Sequence, residues 1–230
     1  MSTAHQRTPD PDARASDAVP GDDDPVGRLA RHLLPALVHG VNNHTQFLTG
    51  LNAVLALSSD GRVLHDRAGD LAQVAREVED AGWLLALVAS GSGSNLMLAR
   101  REPRGLAIVS AWVDHALRRA GAARIAGCAE RTWPELTPLV LEGWQLPWAI
   151  GSLLLAAGLD GTGAGSFELE LRSGAASGEP GLLLFPAGPR VEELVPIVCG
   201  LLEGARMESE GDRMRLSLPD GWLAFAGSEE

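Results

Sequence analysis

Between Pro25 and about Leu57, Ala30, Leu33, Leu34, Leu37, Val41, His44, Leu48, Leu51 and Leu55 fall on one stripe when successive residues are turned by about 100°. That pattern predicts a long helix, with Asp24 as its cap and Pro25 in its first turn. No isolated helix in water can satisfy so long an apolar stripe, so it needs a partner. The segment SSDGR (58–62) reads as a turn, and from about Leu64 to Ala89 the residues Leu71, Val74, Val78, Leu85 and Val88 repeat the same spacing. The two segments predict an antiparallel helical hairpin. A lone hairpin buries its apolar faces poorly, whereas two packed as a four-helix bundle bury them well, so a homodimer is expected.

Residues 1–24 are rich in Pro, Asp, Ala and Ser and nearly empty of large apolar groups, which predicts a disordered tail. The hairpin is expected to occupy 25–100, with SGSGSN (90–95) interrupting its second helix, and a second domain to follow over 101–230. With 45% hydrophobic residues the chain can build a sizeable core. The second domain should run as a helix (105–121), an irregular stretch, a helix (144–159) and a strand (166–173). A strand (181–188), a helix (190–204) and two short strands around ARMESEGDRMRLSLP complete it. Helices alternating with antiparallel strands in this order imply an α+β sandwich.

Charge narrows the partners. A net charge of −11 disfavours a nucleic-acid backbone or an anionic membrane, both of which select clustered basic residues. The chain has no lysine, which removes the phosphate-binding lysine of GxxxxGK[ST] and any Schiff-base lysine. Cys128 and Cys199 are too few for a disulfide framework or a zinc site. No apolar run is long enough to span a bilayer and no secretory signal opens the chain, so a cytoplasmic location is expected.

Candidate chemistry lies in ALVHGVNNHTQFL (36–48). With the stripe centred on Leu37, His39 falls about 200° away and Asn43 about 240°, both toward solvent. His44 lies near 340°, inside the stripe, and is expected to be a packed, hydrogen-bonded histidine. An exposed imidazole keeps a free ring nitrogen for much of the time at neutral pH and is a competent nucleophile toward phosphorus.

VHGVNNHTQFLTGL resembles the phosphoacceptor box of bacterial sensor histidine kinases, in which a helix presents a histidine followed by an acid and, after two positions, an asparagine pair or its like. The resemblance continues in order along the chain. AGDLAQVAREVEDAGWLLALVA is similar to the second helix of the kinase dimerisation hairpin, and EPRGLAIVSAWVDHALRRAG to the lead-in to the ATPase domain. WQLPWAIGSLLLAAGLDGTGAGSFELELRS resembles a helix and strand of that domain, and VCGLLEGARMESEGDRMRLSLP its closing elements. The fold this implies is α+β: a helical hairpin forming a dimeric four-helix bundle, followed by a degenerate α/β sandwich of the histidine-kinase ATPase type.

Departures from the family pattern decide what activity the resemblance implies. The family's acid after the histidine, its base for attack on ATP, is Gly40 here. GSLLLAAGL offers only Ser152 where the family has a magnesium-holding asparagine, and FPAG stands where it has an adenine-recognising aspartate and glycines. The stretch before the closing helix is too short for an ATP lid, and GTGAG (161–165) leads into a strand rather than a phosphate-binding helix.

The implication is a histidine phosphotransferase without ATP-dependent kinase activity, with His39 as phosphoacceptor, Asn42 and Asn43 on its face, and Gly40 letting a partner approach. The chain itself then needs no cofactor, and Mg2+ belongs only to the partner. Implied partners are a second copy, response-regulator receiver domains and a hybrid histidine kinase. The alternatives implied are a non-catalytic pseudokinase acting as regulator or scaffold, or a receiver phosphatase using Asn43. Elsewhere, the six tryptophans read as packing anchors. Arg100, Arg101 and Arg104 form a basic cluster that is either a solvated linker or a contact for an acidic receiver.

Overall fold

The long stripe forms one helix, α1 (Pro25–Leu57), in the computed structural model, which describes residues 24–57, 62–93, 99–127, 132–136, 143–161, 166–168, 170–172, 181–219 and 221–224. Cys128 and most of the expected tail, the 58–62 turn and GTGAG lie outside the described residues. Asp24 caps α1 with both carboxylate oxygens, accepting from the amides of Val26 (3.0 Å) and Gly27 (2.9 Å). A short helix α2 (Arg62–Asp66) precedes α3 (Ala68–Gly91), so the second arm starts with a break at Arg67.

The hairpin is rooted in the rest of the molecule. All the buried residues of α1 (Arg28, Leu29, Leu33, Ala36 and Leu37) lie in its first half, and those of α3 lie between Ala81 and Ser90. Leu29, Leu33 and Leu37 of α1 and the buried apolar residues of α3 from Ala81 to Val88 join one core with α4 (Gly105–Ala120) and α5 (Gln145–Asp160), and this core includes residues on both sides of position 100, where the sequence suggests a domain boundary. The Arg28 guanidinium, almost fully buried, pairs with Glu193 of α6 (Pro189–Leu201) at 2.7 Å and fastens the start of α1 to that helix.

Every residue of α5 from Leu146 to Gly158 is buried, the behaviour of a helix apolar on all sides. Its glycines let α4 come close: a Cβ on Gly151 would lie 2.6 Å from Val109, and one on Gly158 2.4 Å from Leu117. Asp160, at the end of α5, caps α6 by accepting from the amides of Arg190 (2.9 Å) and Val191 (3.3 Å).

The remaining layer is an antiparallel four-stranded sheet in the order β4 (Glu170–Arg172), β5 (Gly181–Pro186), β7 (Arg213–Leu218), β6 (Arg206–Glu210). In β7, Met214, Leu216 and Leu218 turn inward while Arg213 and Arg215 face out, the period of two that a half-buried strand requires. Arg215 pairs across the strands with Glu208 and Glu210.

The strand expected over 166–173 divides: β3 (Ser166–Phe167) pairs in parallel with β1 (Arg124–Ile125), and only β4 joins the larger sheet. A bridge between β2 (Glu135–Leu136) and β8 (Leu223–Ala224) completes the described elements. The architecture is mixed, helices packed with a small antiparallel sheet.

All six tryptophans anchor packing. Trp83, Trp133 and Trp148 sit in the core, and Trp112, Trp144 and Trp222 pack against it.

Candidate functional site

His39 follows Leu37, the last buried residue of α1, by two positions, at the level where the hairpin leaves the core. Its ring is exposed. One turn further on, the Asn43 amide Nδ2 donates to His39 Nε2 at 3.3 Å. Asn43 Nδ2 can only donate, so the bond belongs to the tautomer in which Nε2 accepts. The bond is long enough to be exchanged readily for another acceptor. Asn42 is exposed beside the pair and takes no part in that bond.

His44 sits apart from this chemistry. Its Nε2 lies 3.1 Å from a Glu77 carboxylate oxygen, and its side chain is only 15% exposed. The imidazole joins α1 to α3.

The other wall of the site comes from α4, which packs along α1. A Cβ placed on Gly40 would meet the far edge of the Trp112 ring at 2.7 Å, closer than real Cβ contacts come. Gly40 therefore admits the indole, and the sequence-based idea that it leaves room for a partner is corrected: α4 already fills that space. The position after His39 is glycine because a side chain there would collide with its own molecule.

One turn along α4, His115 packs edge-on to Trp112, with ring centroids 6.2 Å apart and planes at 75°. Burial holds the His115 imidazole below the ordinary histidine range, and the positive charges of Arg118 and Arg119, and of His39 when protonated, push the same way, against Asp114. His115 and Gly40, the residue after His39, thus lie against the same Trp112 ring at the seam between α1 and α4. Neither Trp112 nor His115 stands out in the sequence as part of a site. A glycine adjoining a candidate nucleophile was the available signal, since it marks a close approach by another element.

Beneath these rings, Asp114 is buried and accepts from Arg124 (2.9 Å) and Arg118 (3.1 Å). Burial pushes its carboxyl up, but hydrogen bonds and charge from the two arginines outweigh that and hold it below the usual carboxylate value. The arginine cluster near residue 100 is partly committed within the chain, since Arg104 pairs with Asp80 at 3.0 Å and Glu102 at 3.4 Å.

The exposed large apolar residues among those described all belong to the hairpin: Leu34, Val38, Val41, Leu48, Val54 and Leu57 on α1, and Val78 and Leu85 on α3. Leu34, Val41 and Leu48 are spaced by seven, as are Val78 and Leu85, so each helix offers a seam beside His39's own level. The stripe of α1 therefore has two fates, its buried members meeting the chain's own core and these three facing outward.

No family profile matches the chain, and no curated protein is significantly similar to it.

Proposed function

We propose that this protein is a histidine phosphotransferase of a two-component phosphorelay, passing a phosphoryl group between His39 and receiver-domain aspartates without using ATP. The observation that carries the proposal is the exposed His39 side chain with Nε2 hydrogen-bonded to Asn43. In the reaction, the Nε2 lone pair attacks phosphorus, the P–O bond to the receiver aspartate breaks, and the carboxylate leaves with the bonding pair. The ring proton stays on Nδ1. Asn43 then exchanges its bond to Nε2 for one to a phosphoryl oxygen, which steadies the group as it moves.

A receiver brings its own Mg2+ and acidic pocket, so this chain has only to supply a positioned imidazole. The heptad-spaced seam pairs with that of a second copy, giving a dimeric four-helix bundle. In this reading the second half is a degenerate histidine-kinase ATPase domain. Ser152 lies buried among apolar neighbours, and only Ala187 and Gly188 link β5 to α6. The site of action is the cytoplasm.

The test is to mix purified protein with phosphorylated receiver domains and follow acid-labile label. Label on the wild type that disappears in His39→Ala is expected. No label from any receiver, or label retained in His39→Ala, overturns the proposal.

A second role, a non-catalytic pseudokinase that binds receivers or a kinase hairpin, is favoured by the Trp112 ring packed on Gly40, which fills the space at the residue after His39. Its signature is normal signalling in cells carrying His39→Ala.

A further inference from the structure

We propose that His115 is the counter-group of His39: an imidazole carried by α4 to the flank of the phosphoacceptor, which takes up a proton when His39 gains a phosphoryl group. The inference rests on His39 being the phosphoacceptor, and it adds a positioning residue that lies more than seventy positions away in sequence.

Two contacts place it. Trp112 lies on Gly40, which fixes α4 against α1 at the residue next to His39. His115 packs on that same Trp112 ring, centroids 6.2 Å apart, one turn along α4. A charge on His39 is among the influences that act on the His115 ring. The charged groups acting on it are Arg118, Arg119 and Asp114 of its own helix and His39 of α1. Asp114 is already engaged by Arg118 and Arg124, so its carboxylate does little to favour a proton on His115.

In the unloaded protein every large influence on His115 favours its neutral form. A phosphoryl group reverses the sign of the contribution from His39, since it brings between about one and two negative charges at neutral pH. His115 then binds a proton from solvent, and by linkage the protonated ring stabilises the phosphorylated state. Phosphorylation of His39 is thereby coupled to uptake of a proton by a second histidine.

The experiment uses the full-length protein and phosphoramidate, a small donor that phosphorylates histidine without any receiver. His115 is titrated by NMR in three forms: wild type, His39→Gln, and wild type loaded with phosphoramidate. Its midpoint should rise in His39→Gln, where a like charge has been removed. It should rise further, by about half a pH unit or more, in the loaded protein. Loss of the loaded phosphoryl group should depend on pH across the same range in the wild type, and that dependence should flatten in His115→Gln. A His115 midpoint that ignores both His39→Gln and loading overturns the inference, as does an unchanged pH profile in a folded His115→Gln. Loading by phosphoramidate but by no receiver sinks receiver exchange alone, whereas failure to load His39 by any donor removes both.

Discussion

Replacing Gly40 by alanine sets two effects of similar size against each other, and the structure says which background decides the outcome. In a helix interior the change gains about 1 kcal/mol from propensity and lost unfolded-state freedom. Against this, the new Cβ would stand 2.7 Å from the Trp112 ring. Trp112 is half-buried, packed on the core and flanked by His115, so the indole cannot swing clear without giving up contacts. Overpacking of this kind costs about 1 to 3 kcal/mol.

Gly40→Ala in the wild type should therefore be neutral or destabilising, by about 0 to 2 kcal/mol. In a Trp112→Ala background the clash is gone and the same change should stabilise by about 1 kcal/mol. The double-mutant cycle then has a coupling of about 1 to 3 kcal/mol, measured by urea unfolding with two probes to establish two-state behaviour. If Gly40→Ala stabilises equally in both backgrounds, Trp112 does not rest on α1 and the account of this site fails. Gly40→Asp, which places an acid after His39, should be no better tolerated, because its Cβ meets the same ring.

Two further changes probe what lies around the site. Asp114 has a lowered carboxyl, so its stabilisation is complete above the unfolded-state value of about 3.9 and is lost as the pH falls below that toward the folded-state value. Asp114→Asn should cost about 1 to 3 kcal/mol at neutral pH and flatten the acid limb of a stability-versus-pH curve. A limb of unchanged slope would remove the carboxylate from the balance. Leu48 is 42% exposed on the hairpin seam, so Leu48→Glu should leave the far-ultraviolet spectrum intact while converting a sedimenting dimer to monomer. A wild-type protein that sediments as a monomer throughout would refute the proposed bundle.

The helices were legible because each carries a long periodic signal. The 3.6-residue stripe puts α1 between Pro25 and Leu57, and the helix expected over 105–121 is observed as Gly105–Ala120. Strands of two residues carry no period, so β1, β2 and β8 left no trace in the pattern. The stripe of α1 also concealed a division. Periodicity identifies which residues avoid water but not what covers them, and Leu37 and Leu48 on one stripe proved to be 1% and 42% exposed. Leu37 is therefore a core residue of the chain itself, and only Leu48 is suited to report on association.

Gly40 shows why the rest of the site was not legible. Set beside a histidine box, the glycine reads as an acid that has been lost. In the structure it is a place that α4 has taken, where Trp112 packs and brings His115 with it. That contact joins residues 40 and 112, a tertiary fact with no local signature. A Cβ at position 40 and the edge of the Trp112 indole compete for the same space, so any side chain placed there must displace the ring. At this level α4 supplies a wall, with Trp112 against Gly40 and His115 packed on Trp112, while the His39 side chain stays exposed. In the proposed phosphoryl exchange, that exposed side chain is what an incoming domain has to reach.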